Sequence, residues 1–216
     1  MWAIRLGREV FNNSIQNPLK ERDNLYEYEK FESYSFKEKI VYRIEEIGKE
    51  SPIKLALESL KEKRNWYKNS QEELKYFFYK YEKYIAEKRK AAFRSDLWES
   101  IFISSATDSI EHIFPEFDPY NNWVGLMGNE KNEIENNVNR LGNLVVLTPL
   151  INSRCGTKSF KDKKIAYKDA LLHVVNDIIY IDYSENGDAK ERKVWNKENI
   201  DLREEHLIKI AMEIWG

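Results

Sequence analysis

Residues 109–115 read Ser-Ile-Glu-His-Ile-Phe-Pro, and residues 140–147 read Arg-Leu-Gly-Asn-Leu-Val-Val-Leu. The first segment places an acid beside a histidine in an apolar run, and the second begins its apolar run at Asn143. β-Branched residues bounded by proline and glycine predict two short strands. Asn152 follows nine residues later, and the lysine-rich segment beyond it has helical spacing. The stretch therefore predicts a strand–strand–helix insert.

Helical periodicity dominates the rest of the chain. The clearest helix begins at Ser70, which is suited to the N-cap because Glu73 follows three residues later. Its apolar residues recur at helical spacing: Leu74, Phe77, Phe78, Tyr81, Tyr84 and Ile85. Two segments rich in β-branched residues, Ile101 to Ile113 and Ile178 to Tyr183, are predicted as strands. The fold class we predict is α+β, a mostly α-helical body with an inserted ββα motif.

The composition limits the class of protein. Hydrophobic residues make up 42% of the 216 residues, which is enough for a core, and the charges nearly cancel at a formal −2. A globally basic nucleic-acid binder is therefore excluded, and only a local basic patch is possible. The single cysteine, Cys155, cannot form an internal disulfide, which favours the cytoplasm. No apolar run approaches the roughly 20 residues of a membrane helix, so we expect no membrane contact.

The acid, the histidine and the two asparagines are residue types that a phosphodiester hydrolase needs. His112 is suited to removing a proton from water, because imidazole titrates near neutral pH. Glu111 and Asn152 are able to share one divalent cation, Mg²⁺ or Mn²⁺, since such cations keep several waters and need few protein ligands. Asn143 is placed to fix the His112 ring by a hydrogen bond. These four residues are the predicted catalytic and metal-binding set.

A local surplus of positive charge follows this set. Residues 154–168 contain six basic residues against one acid, Asp162. Such a patch would bind a DNA backbone, with an affinity that falls steeply as salt rises. The predicted DNA-binding residues are Arg154, Lys158, Lys161, Lys163 and Lys164.

Each feature taken singly also has a simpler structural interpretation. A Glu-His pair is often a hydrogen-bonded surface pair. Asn143 after a glycine is compatible with a turn, and Asn152 with a helix cap. The lysines are compatible with the solvated face of a helix. The order and spacing of all these residues together favour a site.

In combination, the residues resemble the HNH (ββα-metal) module of GmrSD-type proteins, which act in modification-dependent restriction and phage defence. The similarity rests on residues 110–115, residues 140–147, Asn152 and residues 160–164, and it extends over about residues 72–216. It implies the following domains: a GmrSD-type HNH nuclease domain at residues 71–216 with its ββα-metal core at about 105–172, preceded by an N-terminal helical region at residues 1–70.

The resemblance implies a metal-dependent DNA endonuclease or nickase, the effector module of a restriction or anti-phage system. His112 matches the general base of HNH sites, Asn143 the asparagine that orients it, and Asn152 the metal-binding asparagine. Glu111 stands where many HNH proteins have aspartate, and its longer side chain changes how far a ligand would reach.

One departure from the family concerns recognition. Proteins of this type usually carry an N-terminal ParB-like, nucleotide-hydrolysing domain, and this sequence has no glycine-rich phosphate loop. We therefore expect a C-terminal fragment, or a nuclease subunit whose recognition partner is separate. Two alternatives stay open: a catalytically inactive HNH-fold module that binds DNA or docks a partner, and a purely helical interaction protein.

Overall fold

The computed structural model describes residues 65–123, 126, 131–181 and 190–215. Its contacts divide the chain into two compact units, Met1–Ser59 and Leu60–Gly216, and every described residue lies in the second. Most of the predicted N-terminal helical region, residues 1–70, lies outside the described residues.

The second unit is mostly helical and contains a small two-stranded sheet, which confirms the α+β class. The strands are β1 (Ile110–His112) and β2 (Leu144–Val146). The helices are α1 (Trp66–Asn69), α2 (Gln71–Arg89), α3 (Ser95–Ile103), α4 (Ala106–Ser109), α5 (Lys131–Val138), α6 (Pro149–Cys155), α7 (Phe160–Lys168), α8 (Asn176–Ile179) and α9 (Lys197–Trp215), with 3-10 turns at Leu141–Asn143 and His173–Val175. No helix among the described residues is both long enough and apolar enough to cross a membrane.

Helix α2 lies in the core, and its side chains form hydrogen bonds with the backbone of other segments. Its apolar stripe is buried as predicted, apart from the half-buried Tyr84. Ser70 takes the N-cap position, but its side chain makes no capping hydrogen bond to the helix. The buried Lys75 donates from Nζ to the Ser104 carbonyl at 2.7 Å. The buried Glu82 carboxylate accepts the backbone N–H groups of His173 and Val174, each at 2.9 Å. Buried charges in α2 thus hold backbone groups of neighbouring segments.

The two strands pair antiparallel, with α5 between them in the chain, and this pair positions the candidate site. Ile110 lies opposite Val146, and His112 lies opposite Leu144. The pairing continues at one end with the Leu147 N–H donating to the Ser109 carbonyl at 2.8 Å. β2 is buried along its whole length, as its continuous apolar sequence suggests.

The two segments predicted as strands from their β-branched residues differ from expectation: the first forms only a short strand, and the described part of the second forms no strand. Residues 101–103 are the end of α3, and residues 106–109 form α4, which Ser105 caps by accepting a hydrogen bond from the Asp108 N–H. Only residues 110–112 of that segment form a strand. In the segment 178–183, α8 includes Ile178 and Ile179, and Tyr180 forms one isolated bridge to Glu191; residues 182 and 183 lie outside the described part.

Helix α9 packs on the 3-10 turn that leads into β2. A side chain at Gly142 would place its Cβ 2.1 Å from the Ile200 carbonyl oxygen, so only glycine permits this approach. Arg203 donates from Nη1 to the carbonyls of Gly142, at 3.0 Å, and Leu144, at 2.7 Å. The C-terminal helix therefore fixes the backbone on both sides of Asn143.

Candidate active site

His112 ends β1 with its ring at the edge of the core. The side chain is only 11% exposed, and its Nε2 lies 3.0 Å from Asn139 Oδ1 and 3.9 Å from Glu116 Oε1. The Tyr67 ring meets it edge to face, with 4.5 Å between ring centroids. With Asn139 Oδ1 as acceptor, Nε2 carries the proton and Nδ1 holds the lone pair.

The environment of His112 favours the neutral imidazole. Burial lowers the pKa of His112, and this outweighs the opposite effects of the Asn139 hydrogen bond and the Glu116 carboxylate. A neutral ring at neutral pH has a lone pair to accept a proton, as a general base must.

Asn143 does not hold the ring in the way the sequence predicted. Its amide donates from Nδ2 to the carbonyls of Phe114, at 2.9 Å, and Val138, at 2.8 Å. Its Oδ1 accepts from the Phe114 N–H at 2.9 Å and from Trp195 Nε1 at 3.1 Å. Both donors and both acceptor positions are thus used. Asn143 is fully buried and fixes the backbone two residues beyond His112.

Asn139 is the residue that the sequence reasoning missed. It is buried just after α5, and its carbonyl accepts the Trp66 N–H at 2.9 Å, which ties it to α1. The only sequence signal is the run Asn-Asn-Val-Asn-Arg at residues 136–140, and in that run nothing singles out one asparagine. The contact joins residues that are 27 positions apart.

We expect Asn139→Ala to slow DNA cleavage by up to about 100-fold, because a misplaced catalytic group can cost that much. The His112 ring would lose the acceptor that fixes its tautomer and orientation. The matched control is Asn137→Ala, which removes a similarly buried amide whose Oδ1 accepts from Arg140 instead. Initial nicking rates, compared at equal folded fraction, check the prediction; equal losses in both variants would contradict it.

Glu111 points away from His112 into the core. Its Oε1 accepts from Lys163 Nζ at 2.8 Å and from Tyr167 Oη at 3.0 Å. The same Nζ donates to the His112 carbonyl at 2.7 Å, so Lys163 fastens the end of β1. Burial raises the pKa of Glu111, and the Lys163 ammonium opposes that rise by stabilising the carboxylate.

Of the two predicted metal ligands, Glu111 does not offer a cation an unpaired carboxylate in this conformation, whereas Asn152 keeps its amide oxygen as a possible ligand. The Lys163 ammonium already neutralises the Glu111 carboxylate. Asn152 donates from Nδ2 to the Thr107 carbonyl at 3.1 Å, a bond that does not use its Oδ1. Within the described ranges, no three His, Cys, Asp or Glu side chains form a group that could hold a metal. Glu116, whose side chain is 49% exposed, is the carboxylate beside the His112 ring.

The predicted DNA-binding residues divide by their exposure and partners. Lys163 is fully buried against Glu111 and cannot reach a phosphate in this conformation. Arg154 pairs with Asp169 at 2.6 Å, and Lys164 donates to Glu191 at 3.2 Å and to the Arg192 carbonyl at 2.7 Å. Lys158 and Lys161 are exposed. The open positive surface is therefore smaller than the sequence suggests.

Comparison with known proteins gives the family to which these site residues belong. The family model described as "GmrSD restriction endonucleases, C-terminal domain" matches residues 50–210. The chain belongs to this family. Neither the comparison with curated proteins nor that with solved structures gave a match. The family is one of restriction endonucleases, enzymes that act on DNA, which supports a nuclease function for this domain. The matched region includes every candidate site residue discussed above.

Proposed function

We propose that this GmrSD module is a metal-dependent, HNH-type endonuclease or nickase and the effector of a restriction or anti-phage system. The observation that supports it best is the state of His112 at the end of β1. Its Nε2 is hydrogen-bonded to Asn139 Oδ1, and burial lowers its pKa, which favours the neutral ring. The antiparallel pair of β1 and β2, whose strands are separated in the chain by α5, is followed by α6, which contains Asn152. That order corresponds to the strand–strand–helix arrangement the sequence predicts for an HNH site.

In the proposed reaction, Nδ1 of His112 accepts a proton from water as the oxygen attacks phosphorus. The bond from phosphorus to the leaving sugar oxygen breaks, and that oxygen takes up a proton from solvent. Asn139 keeps the ring in the required tautomer. A bound Mg²⁺ or Mn²⁺ would supply positive charge for the phosphate and the leaving oxygen. Glu116 and Asn152 are candidate oxygen ligands, and Glu111 becomes one only if Lys163 leaves it.

DNA recognition is proposed to depend on more than these residues. Lys158 and Lys161 would contact backbone phosphates, which position a duplex without reading its sequence. The choice of target is then left to a ParB-like NTPase domain or to a separate recognition subunit, as the resemblance implies.

One observation favours the second candidate, an inactive HNH-fold module that binds DNA or a partner. The Glu111 carboxylate is occupied by Lys163, and a site that never binds a cation would tolerate this pairing. Such a module would bind DNA and show no divalent-dependent cleavage.

A nicking assay on supercoiled plasmid separates the two candidates. We expect the wild type to convert supercoiled plasmid to open circle with Mg²⁺ or Mn²⁺, and EDTA to abolish the conversion because the charge on the phosphate is then unneutralised. Cleavage that persists in EDTA would contradict metal dependence. DNA binding without cleavage, with modified and unmodified plasmid and with either metal, would favour the inactive module.

A further inference from the structure

The loop that follows β1 exposes two aromatic rings. Phe117 is 69% exposed and Tyr120 is 73% exposed, so most of each side chain lies in solvent. Solvated aromatic faces give up the stabilisation that burial would provide. In the described part of this loop, residues 113–123, the hydrogen bonds are made by groups other than these two rings.

The loop holds its shape by contacts at both ends. Phe114 is buried, and Asn143 binds both its N–H and its carbonyl. Trp123 is buried beside the Phe114 ring, with centroids 5.3 Å apart. Between them, the Asp118 carboxylate accepts the N–H groups of Asn122, at 3.0 Å, and Trp123, at 2.8 Å. The two rings are thus presented on an anchored turn.

The same loop contacts both the candidate base, His112, and the segment that contains the exposed Lys158. Glu116, which precedes Phe117, lies 3.9 Å from His112 Nε2. At the other end, Trp123 donates from Nε1 to the Lys158 carbonyl at 3.2 Å. A duplex whose scissile phosphate reached His112 would therefore have this loop beside it, with a phosphate-binding lysine at the loop's far end.

We propose that Phe117 and Tyr120 form a base-stacking contact for DNA next to the cleavage site. The proposal rests on the proposed function, because it places DNA at His112. Every base has a π-face, so aromatic rings stack on bases without regard to sequence. Apolar side chains also enter between base steps of a duplex and partly unstack them. Two rings, one of them a phenylalanine without a polar group, suit this role better than contact with phosphates.

The salt dependence of DNA binding distinguishes base stacking from contacts with phosphates. Binding of the full chain to labelled duplex and single-stranded oligonucleotides is measured by fluorescence anisotropy in EDTA at several salt concentrations. We expect Phe117→Leu and Tyr120→Leu each to raise Kd by about 5- to 100-fold on at least one form. The slope of log Kd against log salt should stay unchanged, because no phosphate contact is lost.

Three control variants distinguish the loss of a ring from the loss of a phosphate contact or of any exposed apolar side chain. Tyr120→Phe keeps the ring and should bind as the wild type does. Lys158→Ala should lower the salt slope by about one, as the loss of a phosphate contact does. Leu202→Ala removes a 55% exposed apolar side chain from α9 and should leave Kd unchanged. The rings are exposed, so the leucine variants should fold, and thermal unfolding verifies this.

The outcomes distinguish this contact from the nuclease itself. Unchanged affinity of both leucine variants on both DNA forms would overturn the stacking contact, and so would a wild type that binds neither form. Unchanged DNA affinity with an altered oligomeric state would overturn it as well, by indicating a contact between copies of the chain. Ring-dependent binding by a wild type that fails to nick plasmid would support stacking while contradicting the proposed function.

Discussion

His112→Ala is expected to lower the rate of plasmid nicking by about 10²- to 10⁴-fold, the usual contribution of a positioned general base. The reason is geometric, because the ring is held by Asn139 at Nε2 and by the edge of Tyr67. His112→Asn, which preserves more of the packing against Tyr67, should show a similar loss.

The matched control is His206→Ala. His206 is exposed on α9, and its Nε2 lies 3.1 Å from Tyr81 Oη, outside the candidate active site. Single-turnover nicking rates and melting temperatures of the three variants separate chemistry from folding. A His112→Ala protein that is folded and nicks at the wild-type rate would contradict the base assignment, whatever the metal used.

The local order of the candidate site could be predicted from the sequence. β-Branched runs beside Pro115 and Gly142 indicated the two strands, and the antiparallel pair is present. Alternation along a strand also places Glu111 and His112 on opposite sides. These inferences succeed because they depend on residues that are close together in the chain.

Partners distant in the chain could not be chosen in this way. Asn139 and Asn143 have the same side chain, and the structure uses one for the His112 ring and the other for the Phe114 backbone. Which asparagine meets which group depends on how α5 and the 3-10 turn pack against β1. No local pattern encodes that packing.

The spacing of residues in the lysine-rich helix α7 indicates which of its lysines is buried. Phe160, Lys163 and Tyr167 are spaced so that they share one face of α7, and that face is buried. A lysine flanked by two aromatic residues at helical spacing is more consistent with a buried ion pair than with a phosphate contact. A charge count over residues 154–168 cannot make that distinction, since it ignores which face each lysine occupies.

The buried pair of Glu111 and Lys163 gives the second large expected effect, on stability. Glu111→Gln leaves the Lys163 ammonium buried without a counter-charge, and Lys163→Met leaves the carboxylate in the same condition. We expect each single substitution to lower the free energy of unfolding by about 3–5 kcal/mol. The double substitution Glu111→Gln with Lys163→Met should lose less than the sum of the two single losses, because it leaves no isolated charge. Urea unfolding of the four proteins measures the coupling.

The exposed pair of Arg154 and Asp169 is the control, because Asp169→Asn should cost no more than about 1 kcal/mol. The role of Glu111 in cation binding can be read from the same experiment with Mg²⁺ added. In Lys163→Met the carboxylate has lost its ammonium partner, so a cation that binds Glu111 would restore part of the lost stability, and the wild type would respond less. Single-substitution costs below about 1 kcal/mol would contradict a buried ion pair. They would leave Glu111 available to the metal without any displacement of Lys163.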